Sequence, residues 1–118
     1  MQTLNLSAWR TEYAKRLDES LQAAVETLAR LPGIQRVSVF GSYAKGRRDL
    51  FTDLDLLVVW DTDKPVTERL ASLYPLLDAQ VDLDILCYTP REFLELKDAP
   101  FLRGVIADEV LLYEKKPA

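Results

Sequence analysis

Histidine is absent from this sequence, and cysteine occurs once, at position 87. Without imidazole there can be no Ser-His-Asp or Cys-His nucleophile, no HExxH zinc site and no histidine acid-base pair, so any catalysis must run on other groups. The lone Cys87 closes no intrachain disulfide and makes no CxxC site. It is expected to be a small core residue in a chain suited to the reducing cytoplasm. No run approaches about 18 apolar residues, and Met1–Trp9 lacks a charged segment leading into an apolar one, so neither membrane insertion nor secretion is indicated. Basic charge is scarce too: 15 Lys and Arg face 19 Asp and Glu, for a net charge of −4. Residues 1–48 carry +4 and residues 49–118 carry −8, and nothing clusters Lys and Arg densely enough for a duplex-binding face. Nucleic acid is therefore not indicated as a partner.

What is present is the composition of one ordinary soluble domain, expected to span 1–118: 48% apolar and 29% charged residues. Trp9, Tyr13, Leu17, Leu21, Ala24, Val25 and Leu28 recur at spacings of three and four, which predicts a long amphipathic helix from about Ser7, its expected N-cap, to Arg30. This stripe reads as core or partner interface. Pro32-Gly33 stops the helix, and Ile34–Phe40 reads as a strand running into Gly41-Ser42. Leu54–Trp60 is an almost continuous apolar run, as expected of a central strand covered on both faces. Leu70, Leu73, Tyr74 and Leu77 fit a second helix shortened by Pro75. Val81–Tyr88 predicts a third strand. Thr89-Pro90-Arg91-Glu92 has the N-cap, first-position proline and capping-box glutamate of a helix start. Asp98-Ala99-Pro100 interrupts that helix, Phe101–Ile106 adds a further helical turn or two, and Val110–Tyr113 predicts a last strand.

The chemistry concentrates in Gly41 to Leu56. Gly41-Ser42 falls at a strand end, where backbone N–H groups and a hydroxyl can grip phosphate oxygens. Asp53 and Asp55 alternate at the mouth of the next strand, which sets them on one face about 6.6 Å apart along the strand and lets both address the same hard cations. Asp82 and Asp84 repeat the pattern in a strand otherwise made of core residues. Unpaired buried carboxylates are costly, and divalent metal is their natural counter-charge in a chain without histidine. If the two strands are neighbours, three carboxylates converge beside the phosphate loop. Taken singly, each feature also has a bland reading: a strand-start DxD as surface punctuation, Gly-Ser as a turn, Asp82 and Asp84 as guards of an exposed edge. Lys45, Arg47 and Arg48 could touch a triphosphate or form solvated salt bridges, with Lys45 the candidate singled out. Tyr43 and Trp60 could stack on a base or simply pack.

This pattern, Gly41-Ser42, ten intervening residues, Asp53-x-Asp55 and a later Asp, resembles the minimal nucleotidyltransferases of the DNA polymerase beta superfamily. Ala44, Gly46 and Leu56 agree with it, and Lys45 and Thr52 stand where the family usually has Arg and Ser. The resemblance implies an α/β (α+β) fold, a small mixed β-sheet with helices packed on it. It also implies transfer of a nucleoside monophosphate, AMP from ATP being the expected case, to a hydroxyl. Gly41 and Ser42 would hold the nucleotide. Asp53 and Asp55 would bind two Mg2+ ions, with Mn2+ as a substitute, and a third Asp would share in metal binding and activate the hydroxyl. Asp84 is favoured for that third role because it lies five residues before Thr89-Pro90, and Asp82 stays open. Stand-alone chains of this kind often pair with a small helical protein of the HEPN class as toxin and antitoxin, the acceptor being a tyrosine of the toxin. A catalytically silent antitoxin of the same fold, or a PIN-like metal-dependent nuclease, are the alternatives.

Overall fold

The computed structural model describes residues 5–77 and 79–116; the start of the segment read for a leader, residues 1–4, lies outside them. Helix α1 (Leu6–Arg30) is followed by strand β1 (Ile34–Phe40), a one-turn helix α2 (Gly41–Ala44) and strand β2 (Leu54–Trp60). Helix α3 (Val66–Leu73), a 3-10 turn (Tyr74–Leu76), strand β3 (Leu83–Tyr88), helices α4 (Pro90–Leu96) and α5 (Pro100–Asp108) and strand β4 (Val110–Glu114) complete the order. The sheet runs β3-β2-β1-β4. Consecutive strands β1 and β2 are antiparallel, while β2 and β3, joined through α3, are parallel. Such a crossover is what parallel pairing requires.

Strand β2 is central, and every residue from Leu56 to Trp60 is buried. Its alternating side chains feed two cores. Leu54, Leu56 and Val58 pack with Leu17, Leu21 and Leu28 of α1 and Leu73 of α3, whereas Leu57 packs with Leu102 and Val105 of α5. Cys87 is buried in the first of these, and burial raises its thiol pKa to about 11, so it is an inert packing residue. Trp60 is buried as well, with Nε1 donating to the Pro32 carbonyl at 3.1 Å, and so serves packing and not base stacking.

Three expected boundaries shift. The cap of α1 is Asn5, whose side chain accepts from the Ala8 N–H at 3.1 Å, and Ser7 lies within the first turn. Either residue is a competent cap, and the Asn side chain two residues earlier captures the free donor. Strand β3 begins at Leu83, so Asp82 precedes it, with the Asp82 carbonyl accepting from the Leu54 N–H at 3.0 Å. The segment after Pro100 is a full helix to Asp108, because proline at its first position starts the helix that it would break further in. The stripe on α1 also divides: Leu17, Leu21, Ala24 and Leu28 are core, whereas Trp9 is more than half exposed.

At Thr89 both halves of the capping box form, and Glu92 additionally reaches the buried Arg69 at 2.7 Å. Thr89→Ala is expected to cost about 1 kcal/mol, read by urea unfolding. No measurable loss would mean that α4 is held by its packing alone.

Candidate active site

The site lies where β1 ends and β2 and β3 begin. Gly41 has φ +73°, in the left-handed region that favours glycine, and lets the chain turn from β1 directly into α2. A Cβ at this position would overlap Asp55 Oδ2, so the carboxylate occupies the space that the missing side chain leaves. No side chain caps α2. The leading N–H groups of such a turn have no partner within it and suit an anion. Gly46, at φ +96°, closes the loop.

Asp53 and Asp55 are half-buried at the mouth of β2, and Asp82 and Asp84 are exposed at the mouth of β3. The parallel register sets Asp55 directly beside Asp84. Neighbouring strands lie about 4.8 Å apart, so these two carboxylates project from adjacent positions of one sheet. Asp82 falls outside the strand, and its backbone is spent on Leu54. Burial, then Asp84, then Asp53 raise the Asp55 pKa above the usual carboxylate value. The structure thus sets Asp53 and Asp84 within electrostatic reach of Asp55, which itself lies against the Gly41 turn. Among the described residues no three His, Cys, Asp or Glu side chains already form a metal cage. The donor set nonetheless suits a hard dication: oxygen ligands only, with like charges whose repulsion a cation relieves.

Two residues that shape this site escaped the sequence reading. Asp49 accepts from the Phe51 N–H at 2.9 Å and from Thr52 Oγ1 at 3.2 Å, which folds the loop that delivers Asp53, and its pairing with Arg47 at 2.6 Å holds its carboxyl below the usual range. The Asp-x-x-Thr spacing was a local signal for this turn. Tyr13 of α1 donates to the Thr52 carbonyl at 2.9 Å, a contact across 39 positions that no local pattern announces. The basic residues have partners. Lys45 pairs with Asp108 at 3.6 Å in a solvated contact, and Arg48 stacks 3.5 Å from the Tyr43 ring centroid while lying 3.4 Å from Asp18. Tyr43 donates to Asp18 at 2.5 Å, so its ring is engaged by the protein itself.

The family model for polymerase beta nucleotidyltransferases matches residues 22–118, and the chain belongs to that family. A Sulfolobus solfataricus protein, provisionally described as a nucleotidyltransferase, has a similar structure: TM-score 0.64, 21% identity, 98% of this chain and 93% of the other covered. A chain from a mutant of the MntA–HpeT toxin–antitoxin complex is similar at TM-score 0.52 and 19% identity, covering 84% of this chain and 73% of that one. At these identities the two likenesses speak for the fold, which is that of a polymerase-beta-like nucleotidyltransferase. No curated protein matches the chain. No helix among the described residues is long and apolar enough to cross a membrane.

Proposed function

We propose that the chain is a Mg2+-dependent nucleotidyltransferase of a toxin–antitoxin pair, moving AMP from ATP to a hydroxyl on a small helical partner of the HEPN type, a tyrosine in the favoured case. The observation that carries this reading is the pairing of Asp55 with Asp84 in register, beside Asp53 and against the Gly41 turn. The membership in the nucleotidyltransferase family and the likeness to a toxin–antitoxin complex support it.

In this reading Gly41 and Ser42 hold triphosphate oxygens, and Lys45 exchanges its solvated partner Asp108 for the phosphates at little cost. Asp53, Asp55 and Asp84 would hold the divalent ions, which when bound neutralise the triphosphate and acidify the acceptor hydroxyl. The acceptor oxygen bonds to the α-phosphorus as the α–β bridge breaks and pyrophosphate leaves. Asp84, exposed at the strand mouth, takes the hydroxyl proton. Asp82 serves the backbone of the strand start, so Asp84→Asn is expected to lose about a hundredfold or more in transfer and Asp82→Asn less than about tenfold. The reverse ranking in a steady-state assay would hand the third role to Asp82.

Paired labelling tests the reaction itself. With Mg2+ and the partner, label from α-32P-ATP is expected to become covalently attached to protein, whereas label from γ-32P-ATP is not. Attachment of the γ label would make the reaction a phosphorylation and overturn the proposal; binding of the partner with no label attached would favour a silent antitoxin.

A further inference from the structure

Two tyrosine hydroxyls outside the carboxylate cluster are bonded to the peptide groups that carry its outer members. Tyr13, from α1, donates to the Thr52 carbonyl at 2.9 Å. Tyr74, from the 3-10 turn after α3, accepts from the Ile85 N–H at 3.0 Å. The first bond grips the Thr52–Asp53 peptide and the second grips the Asp84–Ile85 peptide. A peptide unit is planar from one Cα to the next, so each hydroxyl fixes the plane on which Asp53 or Asp84 is mounted.

The surroundings show why these strand mouths need such ties. Thr52 is fully buried, and Asp49 already holds its N–H and its hydroxyl, which leaves the carbonyl as the group that α1 secures. Strand β3 is an outer strand of the sheet, and Tyr74 supplies the Ile85 N–H with the acceptor that a further strand would otherwise provide. Asp55 needs no third tie, because it rests against Gly41 and lies between β1 and β3. Asp53 and Asp84, at the mouths of their strands, both carry charge that acts on Asp55, and the two tyrosine bonds lie on their own peptide groups. Ligand sets hold a metal well only when their supports fix them to within about 0.5 Å.

We infer that Tyr13 and Tyr74 are positioning residues for the divalent-cation site, setting Asp53 and Asp84 through the backbone without touching the ion. The inference rests on the carboxylate site proposed above. It accounts for a tyrosine inside the otherwise apolar stripe of α1, where phenylalanine would pack equally well.

Mn2+ titration of the whole chain, followed by electron paramagnetic resonance of the free ion and with no nucleotide present, tests it apart from catalysis. Tyr13→Phe and Tyr74→Phe are each expected to weaken Mn2+ binding about tenfold, as loss of a ligand's support does elsewhere, and the double variant more than either. Tyr88→Phe, at the far end of β3, is expected to match the parent. If both single variants bind Mn2+ within about twofold of the parent while Asp53→Asn has lost the ion, the tyrosine assignment fails alone. If Tyr88→Phe weakens binding as much as they do, the effect belongs to general packing and the assignment fails. If Asp53→Asn binds like the parent, the carboxylate site fails and takes the inference with it.

Discussion

Asp55→Asn is expected to lower Mg2+-dependent transfer by about a thousandfold or more and to leave the protein slightly more stable at neutral pH. The two effects share one cause. Asp55 is held half-buried beside Asp84 and near Asp53, an arrangement unfavourable to the apo fold and useful to a cation. A neutral amide removes the repulsion and the ligand together. The sign with pH follows from the raised carboxyl. Below the ordinary carboxylate pKa of about 3.9, Asp55 is neutral folded and unfolded and exerts no penalty. As pH rises through the folded pKa, the ionised carboxylate destabilises the parent but not the variant. The Tm difference is therefore expected near zero at about pH 3 and in favour of the variant, by at most a few degrees, at pH 7. Calorimetric scans across that range check it. A variant less stable than the parent at pH 7 would mean that Asp55 is satisfied within the fold; transfer above a tenth of the parent's would remove it from the metal site.

Gly41→Ala carries the second large expectation. Its φ of +73° alone costs a non-glycine residue about 1–2 kcal/mol. The new methyl would also overlap Asp55 Oδ2, forcing either the turn or the carboxylate to move. A total loss of about 2–3 kcal/mol and roughly a hundredfold in transfer are expected, since a displacement near 1 Å at a reacting centre has that effect. The contact can be isolated by a double-mutant cycle. Pairing Gly41→Ala with Asp55→Ala should restore part of the stability and none of the activity. If stability is strictly additive, only the backbone strain is real.

The elements that sequence made legible are those with local causes. The Leu54–Trp60 run announces a strand covered on both faces, and that strand is β2. Thr89, Pro90 and Glu92 announce a helix start whose hydrogen bonds all form. The Gly-Ser turn and the alternating Asp53 and Asp55 are likewise short-range patterns. What periodicity does not encode is the neighbour. The stripe on α1 continues through Trp9 although the residues packed against the sheet begin further along, so the same pattern describes a core half and an exposed half. Asp82 and Asp84 repeat one alternating pattern and only the spacing to Thr89-Pro90 separates them in sequence; their physical difference arises from the parallel register with β2, set by the crossover through residues 61–82. The contacts of Gly41 with Asp55 and of Tyr13 with Thr52 are likewise products of the fold.

Function in this reading turns on a donor site built from Asp53, Asp55 and Asp84 beside the Gly41 turn. Thermal unfolding with ATP, with and without Mg2+, in the parent and in Asp53→Asn, measures it most directly. A ligand at about 100 times its Kd adds roughly 2.7 kcal/mol, which is several degrees for a domain of this size. ATP with Mg2+ is expected to raise the parent's Tm by that much, ATP alone far less, and Asp53→Asn is expected to lose the Mg2+-dependent part. An equal shift in Asp53→Asn, or no Mg2+-dependent shift in the parent with any of ATP, GTP, CTP or UTP, would contradict it.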